Sequence, residues 1–297
     1  MADINARHGE VDVRSDISTA EFYREYVNRR PVLMKGALAE MPAVAKWSIP
    51  YFASIAPDLK VRLKTGNPAD ARTVTQTLRE YSEYAADIPD GGPVDGRPPS
   101  YLHDLPLLSM IPGLLEDLSP FPSYLLTPFF RKQWWTFPQF FVGPAGAVTP
   151  LHFDTLQTHN LFFQFHGSKR FLIVDPEDRP YCYTYKWRWS HVDAEHPDYD
   201  RHPLYRKAHV SECVVEAGDL LYMPPGALHH VRSLSSSVSF NVDWHDRRSA
   251  IRGLTAVAQG MPRQNLRYNA LFALGVCFGI PLTVMMPALK SYFYYIS

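Results

Sequence analysis

The sequence predicts a mainly β protein, a sandwich or barrel set between a mixed α/β lead-in and closing helices. Three observations predict it. Short runs of strand-forming residues fill the middle of the chain, at 137–143, 160–165, 170–174, 213–215, 219–223 and 238–242, and Gly143, Gly146, Gly167, Pro176, Gly218 and Gly226 lie between them. No amphipathic helix separates these runs, which excludes a repeating strand–helix–strand sheet. The chain also carries 26 prolines in 297 residues, well above the usual ~5%, as suits short strands joined by rigid turns.

Each element follows from local chemistry. Residues 18–30 read as a helix, with Ser18 as cap, Glu21 as its capping-box partner, and Phe22, Tyr26 and Val27 on one face. Pro31 stops it, and residues 31–35 form a short buried strand. A second helix is expected over 47–55, a strand over 60–64, and a helix over 75–87 with Leu78, Tyr81 and Ala85 on one side. Residues 89–100 are turn-rich, and 105–118 hold short helical pieces broken by Pro106 and Pro112. The stretch 180–209 is rich in Tyr, Trp, His and Pro, too structured for a linker and too irregular for strands; such long loops are usually functional. After Trp244 the helical period returns. Residues 270–289 carry no charge, but Gly275, Gly279, Pro281 and Pro287 interrupt them. Two short helices buried in a core or subunit interface, the second begun by Pro281, fit better than a membrane span. The chain thus divides into a lead-in (1–120), a β core (121–247) with its insertion (180–209), and a helical end (248–297) expected to dimerise.

Composition narrows function. Hydrophobic residues at 46% and charged residues at 20% exclude a disordered chain. Thirty basic residues balance thirty acidic ones, so nothing advertises a grip on phosphate backbones, and nucleic acid is not the expected partner. Three scattered cysteines make neither a disulfide framework nor a structural zinc site. The polar N-terminus, residues 1–14, has no apolar core of signal-peptide length. Together these point to the cytoplasm.

The chemistry concentrates in two places. Residues 149–154 read TPLHFD, and on a strand His152 and Asp154 share a face. Residues 219–230 read DLLYMPPGALHH, a strand and a Pro-Pro-Gly turn ending in His229 and His230. Two imidazoles and one carboxylate on one side of an ion leave three positions open, the arrangement of oxygen-activating non-haem Fe(II). An H-x-D pair alone is commonplace; its order relative to the GSKR and MPPGALHH segments makes it specific.

With these residues in view, the segment 138–244 resembles the JmjC or cupin-like Fe(II)/2-oxoglutarate oxygenases, particularly the subgroup containing the hypoxia-inducible-factor asparaginyl hydroxylase. The shared features are VTPLHFD (148–154), Asn160 followed by Phe162, Phe163 and Gln164, GSKR (167–170), the GDLLYMPPGALHH run (218–230) and an Asn241-to-Trp244 closing strand. RPVLMKGA (30–37) and Tyr101-Leu102 fit the subgroup's lead-in. The resemblance implies a double-stranded β-helix, or jelly roll, with His152, Asp154 and His229 as iron ligands. It assigns Lys169 and Thr149 to the distal carboxylate of 2-oxoglutarate, with Tyr101 as a third partner, and sets Asn160 and Asn241 near the co-substrate and the open side of the metal. His230 would face away. Asp243 is unusual, and the closing strand is one residue longer than the family's.

What the resemblance implies for function is hydroxylation of an amino-acid side chain in a protein or peptide. Fe(II) is the cofactor, 2-oxoglutarate and O2 are co-substrates, and succinate and CO2 are co-products; no separate acid or base is called for. Rival readings are removal of a lysine N-methyl group, tailoring of a peptide natural product, a metal-dependent isomerase or hydrolase on the same barrel, and a non-catalytic cupin that binds a partner. Neither the isomerase nor the hydrolase needs Lys169 or Thr149.

Overall fold

A computed structural model describes residues 7–93 and 97–296; residues 1–6 of the polar N-terminus, and three residues of the turn-rich loop expected at 89–100, lie outside them. The chain opens with β1 (Arg7–Glu10), β2 (Asp12–Arg14), helix α1 (Thr19–Glu21), a π-helical turn (Phe22–Tyr26) and β3 (Val32–Met34). Ser18 caps α1 by accepting from the Glu21 amide, as expected, but the helix is shorter than the sequence predicts. Helix α2 (Pro42–Lys46) is unexpected. The helix expected over 47–55 is α3 (Ile49–Ile55), which begins two residues late because Ser48 lies in extended backbone and its hydroxyl caps it. Strands β4 (Lys60–Lys64) and β5 (Thr73–Thr77) form a hairpin, and α4 (Leu78–Ala86) starts at a Thr77–Glu80 capping box. The first three residues of the helix expected over 75–87 are therefore strand, because the stronger cap lies at Thr77.

Strand β6 (Tyr101–Leu105), helix α5 (Leu107–Met110) and helix α6 (Pro128–Arg131) lead into the β core. That core comprises β7 (Gln139–Gly143), β8 (Val148–His152), β9 (His159–His166), β10 (Ser168–Val174), β11 (Thr184–Tyr185), β12 (Trp189–Ser190), β13 (His209–Glu216), β14 (Leu220–Met223), β15 (Leu228–Ser233) and β16 (Ser237–Trp244). Helices α7 (Arg247–Thr255), α8 (Arg263–Phe278) and α9 (Leu282–Ile296) close the chain.

The strands form the two-sheet jelly-roll sandwich the sequence predicts. One sheet runs β1-β13-β10-β15-β8-β12-β11, the other β2-β3-β14-β9-β16-β7-β6-β4-β5. Side-chain alternation divides the core. From β9 and β16, Leu161, Phe163, Phe165, Val238, Phe240, Val242 and Trp244 pack outward against Trp47, Phe52 and the helices. Phe162 points between the sheets, where it meets Phe171, Ile173, Leu221 and Met223. The β9–β10 turn depends on Gly167, whose φ is +66° and where a Cβ would lie 2.0 Å from the Ser236 carbonyl oxygen.

At the C-terminus the uncharged stretch splits as expected, between α8 and α9, at the left-handed Gly279. Among the described residues no helix is long and apolar enough to cross a membrane. The close approach that Gly275 permits is made within the chain: a Cβ there would lie 2.2 Å from the Phe129 ring. All three cysteines are free.

Candidate metal and co-substrate site

The site occupies the space between the sheets. His152 ends β8 and His229 lies near the start of β15, paired directly across from it. Asp154 is not placed by the strand pleat, as the sequence reading has it: β8 stops at His152, and a turn carries Asp154 in, closed by the Gln157 amide donating to the Asp154 carbonyl at 2.8 Å. The outcome is still convergent. Ligating atoms of His152, Asp154 and His229 lie within 4.8 Å of one another.

Each imidazole is oriented by backbone. His152 Nδ1 lies 2.8 Å from the Pro150 carbonyl oxygen and His229 Nδ1 lies 3.3 Å from that of Ala227. With Nδ1–H donating there, each Nε2 keeps its lone pair, and His229 Nε2 sits 3.9 Å from Asp154 Oδ1. Burial lowers both imidazole pKa values, for His152 well below the ordinary range with the neighbouring His229 adding to it, and for His229 against the pull of Asp154. Neutral imidazoles around a carboxylate are the donor set a divalent transition metal takes. His230 points the other way, as expected, its Nε2 3.3 Å from Glu195 of the insertion.

Asn160 Nδ2 donates to Asp154 Oδ2 at 3.1 Å and to Asp243 Oδ1 at 3.2 Å, and Asn241 Nδ2 donates to the same Asp243 oxygen at 3.1 Å. Asn160 thus ties the Asp154 carboxylate to Asp243, which Asn241 also holds. Burial, followed by the charge of Asp154, pushes the Asp243 carboxyl well above the ordinary range.

Lys169, an inward residue of β10, is 4% exposed. Its Nζ donates to Ser239 Oγ at 2.9 Å and lies 5.4 Å from the Phe162 ring centre and 5.7 Å from that of Phe141. No carboxylate neutralises it among the described residues, and burial pushes its pKa down to about 7. Thr149 lines the same cavity, and its Oγ1 is 2.6 Å from the buried Tyr101 hydroxyl. A desolvated ammonium with two hydroxyls nearby suits a small carboxylate ligand.

The structure also brings in residues that sequence reasoning missed. The β11–β12 hairpin of the insertion pairs Trp189 with His152, stacking the indole on the imidazole at 4.9 Å, and carries Arg188 to the cavity wall. His103 and Asp104 arrive on β6, where His103 Nδ1 donates to Asp104 Oδ2 at 2.7 Å and Lys64 stands 3.6 Å from the same carboxylate. Burial lowers His103 to about 4. Asp104 takes a left-handed φ of 59°, a strained conformation of the kind that gathers at functional sites. Its left-handed backbone has no sequence signal, whereas the Tyr, Trp, His and Pro of 180–209 did mark the insertion.

A family model described as a cupin-like domain matches residues 19–250. Among curated proteins, "Lysine-specific demethylase JMJ30" of Arabidopsis thaliana is 30% identical over 242 residues, 79% of this chain and 54% of that protein. "Bifunctional peptidase and (3S)-lysyl hydroxylase JMJD7" of Homo sapiens is 30% identical over 261 residues, 76% of this chain and 80% of that protein. "tRNA wybutosine-synthesizing protein 5" of Gallus gallus is 25% identical over 246 residues, 77% and 74%. This chain spans about half the length of the Arabidopsis relative.

Proposed function

We propose that this chain, which belongs to the cupin-like, JmjC-type domain family, is an Fe(II)- and 2-oxoglutarate-dependent oxygenase that hydroxylates a side chain of a protein or peptide. The observation that carries the reading is one cavity holding both a His-Asp-His set with its Nε2 lone pairs turned inward and an unneutralised buried lysine. Bound Fe(II) supplies O2 activation, with the net conversion of R–H, 2-oxoglutarate and O2 into R–OH, succinate and CO2.

His152, Asp154 and His229 would hold the metal, and Asn160 fixes the Asp154 carboxylate so that its second oxygen does not swing. Lys169, Thr149 and Tyr101 would take the distal carboxylate of 2-oxoglutarate, orienting its keto-acid end toward the triad. Asn241 would line the co-substrate side of the cavity from β16. Phe141, Phe162 and Phe171 wall the cavity and limit water near the oxidant. Succinate release that needs Fe(II) and 2-oxoglutarate, and disappears in His152→Ala and Asp154→Ala, is the expected result. A peptide product heavier by one oxygen atom identifies hydroxylation; absence of both turnover and metal-dependent 2-oxoglutarate binding overturns the reading.

The exposed apolar residues of the C-terminal helices, Phe278 at 78% and Val284 at 68%, support a second copy packing there. Light scattering on Phe278→Asp/Val284→Asp tests it: dimer mass falling to monomer is expected, and a monomer in both chains refutes it.

A further inference from the structure

Resting on the reading that the substrate is a polypeptide, we infer that an apolar groove beside the metal cavity docks the stretch flanking the target residue. That stretch carries a large apolar side chain close to a carboxylate. The cavity above the triad has a mouth of about 500 Å³, lined by Asp154, Arg188, Asp243 and Tyr292 among others. A separate groove of about 990 Å³ is walled by Leu105, Leu108, Met110, Trp135 and Met286.

The two are continuous along the backbone. Asp104 lines the mouth and the next residue, Leu105, lines the groove; Gln139 lines the mouth and the preceding residue, Pro138, lines the groove. These neighbours lie on two adjacent strands, β6 and β7, and successive strand residues face opposite ways, so mouth and groove approach each other from the two sides of the same strand ends. Arg62 borders both. Helix α9 walls both as well, through Met286 and Tyr292, six positions or ~9 Å apart along its axis. A chain that places one residue over the triad and leaves past Arg62, which borders both cavities, can therefore reach this groove.

The groove's chemistry selects its occupant. Trp135 is 45% exposed and meets Trp134 edge-on with ring centres 6.1 Å apart, Trp134 itself stacking on Phe121 at 3.4 Å. An exposed indole above aliphatic walls is the form of a binding hot spot. Lys60 and Arg62 stand at alternate positions of β4, both exposed, with Val61 and Leu63 turned inward. Neither makes a hydrogen bond or an ion pair with another described residue. Glu80, held in the Thr77 cap, acts on Lys60 at longer range. Two exposed cations at the rim, neither in a close ion pair, favour a carboxylate and repel a basic flank. Phe278 and Val284 line neither cavity, which leaves the groove to the substrate and the second copy to the C-terminal helices.

The experiment selects phage-displayed random dodecapeptides on the full chain loaded with Mn(II) and 2-oxoglutarate under argon. Enriched sequences are expected to place Asp or Glu near Leu, Met, Phe or Trp. Binding of the selected peptides is expected to weaken about tenfold or more in Trp135→Ala, and Lys60→Glu/Arg62→Glu is expected to select basic peptides instead. All three positions are exposed, and an unchanged circular dichroism spectrum certifies the fold. No acidic–apolar bias, or affinities unaltered in both variants, overturns the inference. So does a wild-type dimer that becomes monomeric in Trp135→Ala, which would give the groove to a second copy. Peptide-free succinate release reads the oxygenase proposal separately: its loss with peptide selection intact removes the catalytic reading and leaves the groove.

Discussion

Strands β9 and β16 have two faces of opposite character. Outward, Phe163, Phe165, Phe240 and Trp244 interlock with Trp47 and the helices; Phe240 alone has ring contacts at 5.2, 4.8 and 4.9 Å with Phe140, Phe163 and Phe165. Inward, the same strands present the buried Asn160, Ser239 and Asn241 and the half-buried Asp243, all polar. Removing aromatic surface from water stabilises the sandwich by ~25 cal/mol per Å², while desolvating polar groups works against it. The alternation shows how one strand supplies stability on one face and chemistry on the other, so that substitutions on the two faces should separate.

Substitution at the metal set is the largest expected effect on function. His152→Ala or Asp154→Ala should weaken Mn(II) or Fe(II) binding by at least about a hundredfold, since even partners of metal ligands are worth ~10–100-fold. Calorimetric titration measures this, and thermal stability of the metal-free chain should scarcely change. Phe240→Ala should do the reverse, costing about 3–5 kcal/mol in a urea titration while the folded fraction still binds metal. If the losses track each other, the two faces are not separable.

Lys169→Met sharpens the contrast within the inward face. Removing a buried, unneutralised cation should raise the metal-free chain's stability by about 1–4 kcal/mol. The same change should weaken 2-oxoglutarate by about 10- to 100-fold, the worth of one charge-assisted hydrogen bond. A stability loss together with unaltered affinity would place Lys169 among packing residues.

The Lys169 ammonium also sets a pH dependence. Its pKa falls from the ordinary lysine value to about 7 in the folded, ligand-free chain. Between about pH 7 and 10 the unfolded chain therefore holds a proton that the folded chain lacks, and this residue's contribution makes stability rise with pH. A dicarboxylate ligand requires the protonated form, so its affinity should fall above pH 7, by up to about tenfold per unit, with proton uptake on binding. Calorimetry in buffers of different ionisation enthalpy reads that proton directly. The smallest effect expected is Asn160→Ala, about tenfold in metal affinity, because Asp154 keeps its place in the turn.

Much of the molecule is legible in its residues. Glycine and proline punctuation marks the strands, since these residues alone fit or force such turns, and strand alternation places Phe162 and Phe163 on opposite faces. The H-x-D pair, GSKR and the MPPGALHH turn single out the residues that meet in the cavity. Helix starts are harder to read: Ser48 and Thr77 set the first residues of α3 and α4 two and three positions later than expected, because the cap, not the apolar period, decides where a helix begins. Placement of Asp154 by a turn rather than by pleat is equally local and equally unmarked.

The resemblance of the motifs to a known family named the residues that converge; by itself, the sequence determined the β architecture and the split of the uncharged C-terminal stretch at Gly279 and Pro281. Those follow from backbone preference and side-chain chemistry, which act over a few residues. Only tertiary structure decided that the insertion lays Trp189 on His152 and brings Arg188 to the wall, that β6 delivers His103 and Asp104, and that a groove opens beside the mouth. Such contacts join segments tens to hundreds of residues apart, and their geometry is set by the packing of two whole sheets and the helices around them.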